Sequence, residues 1–185
     1  LFFDEGDLDI GDQAISLASE QPECFTEHFK REIGSNKPCF MLVGDNDSCD
    51  TKMYTAKELT SLFFQQLIKK VRESLEGEIE KLVVTIPAHF NSWQRKDTLH
   101  AVLSAGFSED QVELQEEPVA AALAYTSLGK PAKSLQRLLV FDLGGGTLDI
   151  TILGHSTQGF EILAIEGDPF LGGTDFDERI FRIFN

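Results

Sequence analysis

Basic residues are scarce in this chain of 185 residues: 16 Lys and Arg stand against 31 Asp and Glu, a formal net charge of −15. That deficit removes the electrostatic footprint needed for a nucleic acid or an anionic membrane. Neither is expected as a partner. Long apolar runs are also missing. The longest, such as Leu82 to Ile86 and Leu138 to Phe141, are far too short to span a bilayer. Cysteine is sparse, with only Cys24, Cys39 and Cys49. An odd count without close pairs argues against a disulfide framework or a zinc site, and the reducing cytoplasm is the expected compartment. No signal-peptide pattern opens the chain. It begins at Leu1 rather than Met, and its first residues already read as a strand, so a segment of a longer protein is expected. A scarcity of basic residues does not exclude a nucleotide, because backbone N–H groups and Mg²⁺ hold phosphates without a basic surface.

What remains is an ordinary globular composition, 42% hydrophobic and 25% charged. The patterning predicts an α/β chain. Leu1 to Phe3 and Leu8 to Ile10 flank an acidic, glycine-bearing turn and read as a hairpin. Short helices are expected over Asp12 to Glu20 and Thr26 to Ile33, the second closed by Gly34. Gly44-Asp45-Asn46-Asp47 is turn chemistry between two short strands. Thr55-Ala-Lys-Glu58 is a capping box, and Leu59, Phe63, Leu67, Val71 and Leu75 then recur along one face of a long helix stopped near Gly77. Leu82 to Ile86 reads as a strand covered on both faces, ended by Pro87. A helix follows from Asn91 or Ser92 to Ala105, then a weak strand over Val112 to Leu114. A further helix has Pro118 in its first turn and an alanine-rich run through Tyr125.

Leu128 to Gln136 reads as a linker. Beyond it the pattern changes to strands over Leu138 to Asp142, Leu148 to Leu153 and Phe160 to Glu166. A final helix covers Thr174 to Phe184, with Thr174 and Asp177 in a capping-box pattern. Two units are therefore expected, one to about residue 130 and one from about 135. The second opens with a β-hairpin.

The chemistry centres on Asp142-Leu-Gly-Gly-Gly-Thr-Leu-Asp149. Three glycines, Gly144, Gly145 and Gly146, admit φ values closed to other residues and let the backbone approach a ligand closely. Their amides can converge on phosphate oxygens as an anion nest. Thr147 adds a hydroxyl. Asp142 and Asp149 are hard oxygen ligands for Mg²⁺, directly or through waters. The loop is not a Walker A motif, since no Gly-Lys-Ser/Thr follows, nor a dinucleotide fingerprint, since a strand follows instead of a helix. The alternative is a plain glycine-rich hairpin with surface aspartates. Gly172-Gly173, ahead of the last helix, can face an anion or serve only as a cap. His89 has no second ligand at metal spacing.

Four stretches, in order, carry a resemblance to the DnaK-type heat-shock chaperones, members of the actin-like ATPase superfamily. They are Val84-Thr-Ile-Pro-Ala-His-Phe-Asn91 with Gln94-Arg95, Glu117-Pro-Val-Ala-Ala-Ala-Leu-Ala-Tyr125, Asp142 to Asp149, and Phe170-Leu-Gly-Gly-Thr-Asp-Phe-Asp177. Phe29-Lys-Arg-Glu-Ile-Gly-Ser-Asn36 resembles the HscC-like branch of that family. The resemblance implies a partial actin-like (ribonuclease H-like) fold, with residues 1–130 in lobe I and 135–185 opening lobe II. It implies ATP or ADP with Mg²⁺ as ligands and ATP hydrolysis in the intact parent, driving cycles of binding and release of unfolded client polypeptides. Those clients are held by a peptide-binding domain that this chain lacks, with a J-domain co-chaperone as a possible partner. The family's first phosphate loop and adenosine-binding segment are expected outside this chain too, so the segment alone is expected to be inactive.

By the same resemblance Lys30 orients the attacking water, Glu117 stands near the metal, and Asp142 and Asp149 surround Mg²⁺, through waters. Gly144 to Gly146, Thr147, Gly172 and Gly173 contact phosphate, and Pro87 with Arg95 relays nucleotide state. Three positions depart from the family pattern: Glu116 replaces Asn, Thr174 replaces an acid, and His89 replaces tyrosine. Adjacent acids Glu116 and Glu117 repel a triphosphate unless Mg²⁺ or a proton compensates. A nucleotide-binding or scaffolding relative with little hydrolysis is the alternative reading. A sugar kinase or filament-forming member of the superfamily is disfavoured by the Glu117 to Tyr125 and Leu171 to Asp177 motifs.

Overall fold

The 19-residue helix α2 (Ala56–Ser74) organises the first part of the chain. The computed structural model describes residues 1–4, 7–43, 51–127 and 136–184. These divide into two compact units, Leu1–Leu82 with Ser92–Glu113, and Val83–Asn91 with Leu114–Asn185.

The capping box expected at Thr55 starts α2. The Glu58 amide donates to Thr55 Oγ1 (3.3 Å), and the Thr55 amide donates to Glu58 Oε2 (2.8 Å). These bonds hold the Glu58 carboxyl below its ordinary range. Its capping contribution is therefore present at neutral pH and is lost only as pH falls through that lowered value. The helix ends at Ser74, and Leu75 is already extended and 53% exposed, so the apolar stripe stops one turn earlier than its periodicity predicts.

α2 buries two faces, where the stripe predicts one. Leu59 is fully buried in a cluster with Leu1, Ile10 and Tyr54, against which Leu62, Phe63 and Leu67 pack. Ile68 belongs to a second cluster with Ala105 and Phe107, joined by Phe64 and Leu82. Between its two neighbours α2 is a shared wall.

Around the first cluster run two antiparallel hairpins, β1 (Phe2–Asp4) with β2 (Asp7–Asp9), and β3 (Pro38–Val43) with β4 (Thr51–Thr55). Phe3, Phe40 and Tyr54 interlock there, with ring centroids 5.1 to 6.2 Å apart. Helix α1 (Asp12–Ala18) matches expectation. The helix expected over Thr26 to Ile33 is instead a single 3-10 turn, Phe29–Glu32. His28, at φ 59, breaks helical geometry before it, and Ile33 is extended after it. The turn expected at Gly44 to Asp47 and most of the linker expected at Leu128 to Gln136 lie outside the described residues. Helix α3 (Ser92–Leu103) completes the first unit.

The second unit carries β5 (Leu82–Ile86) beside β6 (Val112–Glu116), then α4 (Glu117–Ser127). Burial alternates along β5, and Val83 is 59% exposed. One face is therefore open among the described residues, and the expectation of cover on both faces fails. The alanine run of α4 packs on β7 (Gln136–Leu143), with Ala122 buried. β7, β8 (Leu148–Ser156) and β9 (Gly159–Asp168) form an antiparallel meander. Helix α5 (Gly173–Phe184) follows it. No helix of the described residues is long and apolar enough to cross a membrane.

Candidate functional site

Strand register decides where the acids stand. β7 and β8 pair without a slip from Gln136↔His155 to Leu143↔Leu148, so Asp142 lies directly opposite Asp149. Directly paired residues share a sheet face with Cβ atoms about 5 Å apart. Asp149 is 6% exposed, whereas Asp142 is open to solvent. Like charges opposite one another destabilise a sheet, and a buried carboxylate requires donors or a cation. A structural hairpin has no reason to keep this pair, so the plain-hairpin alternative explains it poorly.

The glycine tip between them is braced from behind. Gly173 N–H donates to Gly144 O (3.0 Å), Thr174 N–H donates to Gly145 O (2.9 Å), and Gly144 N–H closes the tip on Thr147 O (3.0 Å). In a trans peptide the N–H points opposite to the carbonyl of the same unit. With the Gly144 and Gly145 carbonyls turned to the start of α5, the amides of Gly145 and Gly146 face away from it, side by side. Two successive amides so directed form an anion-binding concavity.

The special φ values expected at the glycine tip are not found. None of Gly144, Gly145 and Gly146 has a positive φ. Space is the constraint at Gly172, where a Cβ would press on backbone atoms of Gly145 and Gly146. A Cβ on Gly145 itself would meet nothing within 4 Å.

The start of α5 is also capped differently from its sequence pattern. Gly172 is the N-cap, and its amide donates to Asp175 Oδ2 (2.8 Å), while Phe170 N–H donates to Asp168 Oδ1 (2.8 Å). The expected Thr174/Asp177 box is displaced by two residues because the helix begins at Gly173. The amides of Gly172 and Gly173 are thus both engaged within the protein.

Of the remaining residues, Glu117 opens α4 at the end of β6, and Gln115 Nε2 donates to Glu116 Oε2 (3.1 Å), partly offsetting the adjacent acids. Pro87 is fully buried at the end of β5. Lys30 is an exposed residue of the first unit, on the 3-10 turn, and Arg95 lies in α3 of that unit. Cys24 and Cys39 form no disulfide, and partial burial with the nearby Glu32 raises the Cys39 thiol above its ordinary pKa, which disfavours the thiolate. No group of three or more His, Cys, Asp and Glu side chains among the described residues is arranged to bind a metal directly.

One contact of the site escaped sequence reasoning, although its residue stands out as a departure from the family pattern. His89 Nδ1 lies 2.6 Å from Asp149 Oδ1. The two are 60 positions apart, and no local pattern announces the contact.

A paired-acid hairpin braced by a glycine turn at a helix start sets acceptor oxygens beside outward-facing amides. The chain matches the family model for Hsp70 protein over residues 3–185. It is 42% identical over 181 residues to a chaperone protein DnaK of Endomicrobium trichonymphae, covering 97% of this chain and 27% of that protein. It is 41% identical over 183 residues to a chaperone protein DnaK of Elusimicrobium minutum, covering 98% of this chain and 28% of that protein. The chain belongs to the Hsp70 family, and with it to the actin-like ATPase fold. It spans about a quarter of the length of these relatives.

Proposed function

We propose that this chain is part of the ATPase domain of a DnaK-type molecular chaperone. In the full-length protein, ATP hydrolysis would drive binding and release of unfolded polypeptides. The observation that carries this reading is the cross-strand pair Asp142 and Asp149 beside two parallel glycine amides. Opposed acids fit a cation, and the amides fit an anion. A metal–phosphate ligand satisfies both at once.

In this reading Mg²⁺ is held through waters by Asp142 and Asp149, and when bound it neutralises phosphate charge. The amides of Gly145 and Gly146 and the Thr147 hydroxyl receive the phosphates, and Gly144, whose amide closes the tip on Thr147 O, lets the backbone approach them. Gly172 and Gly173 contribute by holding the tip in place, since their own amides are engaged. Glu117 stands near the metal waters, and Lys30 orients the attacking water. The rate would come mainly from positioning and charge stabilisation. Residues 1–130 are assigned to lobe I and 135–185 to the opening of lobe II. Pro87 and Arg95 would relay nucleotide state, and the HscC-like branch, a J-domain partner and a cytoplasmic location complete the proposal.

Two measurements on the full-length protein test it. Calorimetric titration with Mg·ATP should show binding, and absence of binding would remove the nucleotide reading. Single-turnover hydrolysis by Lys30→Ala should be slower by roughly 10²-fold, the scale of a positioned proton-transfer group. An unchanged rate would exclude Lys30 from the reaction.

A further inference from the structure

Asp149 is 6% exposed on β8, where neighbours on both sides fix its backbone: Asp142 on β7 and Gly167 on β9. Its backbone is set, but a carboxylate can still rotate about its side-chain bonds. A buried one needs a donor. His89 provides that donor, with Nδ1 2.6 Å from Oδ1. A carboxylate only accepts, so Nδ1 carries the proton whichever charge the ring bears.

The ring itself is held. It stands two residues after the fully buried Pro87, whose carbonyl accepts from the Phe90 amide (3.1 Å), closing a tight turn. Its imidazole also meets the Phe90 ring edge-on, with centroids 5.7 Å apart at 80°. The result is an imidazole mounted on a rigid turn and directed at one oxygen of a buried acid. The opposed acid Asp142 has no such clamp among the described contacts.

We infer that His89 is a positioning residue for Asp149. It donates from Nδ1 to Oδ1, fixes the carboxylate's rotation, and reserves Oδ2 for a water on the metal. The inference rests on the ATPase reading above and deepens it. Outer partners of a metal-site carboxylate matter because they select its orientation before the metal arrives.

The test uses the full-length protein with Mn²⁺ as the metal probe. Binding of Mn²⁺ with ADP is followed by electron paramagnetic resonance, beside single-turnover hydrolysis and the melting temperature. Three variants separate the roles. His89→Ala removes the donor. His89→Asn keeps an N–H donor the same number of bonds from Cα as Nδ1. His89→Gln moves the donor one bond further out.

His89→Ala should weaken Mn²⁺ binding and slow turnover, each by about tenfold. His89→Asn should restore most of both, and His89→Gln should not. A merely structural role would instead make metal affinity follow melting temperature across the three variants. That outcome, or unchanged Mn²⁺ affinity in His89→Ala, overturns the inference. If His89→Ala fails to fold, the contrast between His89→Asn and His89→Gln decides by the same criterion. Wild-type protein that neither binds nor hydrolyses Mg·ATP overturns the ATPase reading and this inference together. Wild-type hydrolysis with no contrast among the variants overturns this inference alone.

Discussion

Gly172→Ala should destabilise the full-length protein by about 2 kcal/mol, the usual scale for forcing a methyl into filled space. For a cooperative unit of about 150–250 residues that corresponds to roughly 4–8 °C in Tm. The added Cβ would meet Gly145 C and O and Gly146 N, with the oxygen at 2.6 Å. These are backbone atoms and cannot swing aside. The tip must therefore part from α5, breaking the bonds from Gly173 N–H and Thr174 N–H that orient it. Mg·ATP binding should fall with stability. Gly145→Ala is the matched control. Its Cβ enters open space, so Tm should hold, while on the proposed reading a methyl at the tip crowds the phosphates and nucleotide binding falls. Thermal melting and calorimetry on both variants read the result. Equal Tm for Gly172→Ala and wild type would show that the brace does not hold the tip.

Asp149→Asn carries the second large effect. Asparagine preserves the shape beside His89 but removes the charge. Single-turnover hydrolysis should slow by about 10²-fold, comparable to loss of one oriented electrostatic group in an active site. Melting should change little or rise, because the cross-strand repulsion with Asp142 disappears along with the charge. That opposite movement of rate and stability distinguishes an acid kept for function from one kept for folding. A rate equal to wild type would reduce Asp149 to a structural group.

The parts of this fold legible in the sequence are those written in local chemistry. The Thr55/Glu58 box, the Gly-rich hairpin and the Pro118 helix start each depend on residues within a few positions, and each stands where its pattern predicts. The failures have equally local causes. The segment before Gly34 has helical composition, but His28 takes a left-handed conformation that interrupts it. The α5 box is misplaced because the pattern from Thr174 to Asp177 ignores Asp175, which the start of the helix at Gly173 puts at the third helical position. The second buried face of α2 was hidden because Phe64 and Ile68 interleave with the stronger stripe. For the site, the acids and glycines were legible, but the reason for Gly172 was not. Close approach of two loops is a tertiary fact, as is the His89 contact.

The brace between the hairpin tip and α5 joins residues 29 positions apart at most, from Gly144 to Gly173 and from Gly145 to Thr174. The His89 clamp spans 60. Short loops close sooner and at lower entropic cost than long ones. The cradle should therefore acquire protection from hydrogen exchange before the turn after β5 does, as pulse labelling during refolding of the full-length protein would show. Simultaneous protection would mean that the two close as one cooperative step. A nascent chain would on this view carry a formed ligand cradle whose acid is still free to rotate. Competence to hold a ligand and competence to act on it would be acquired at different moments in the life of the molecule.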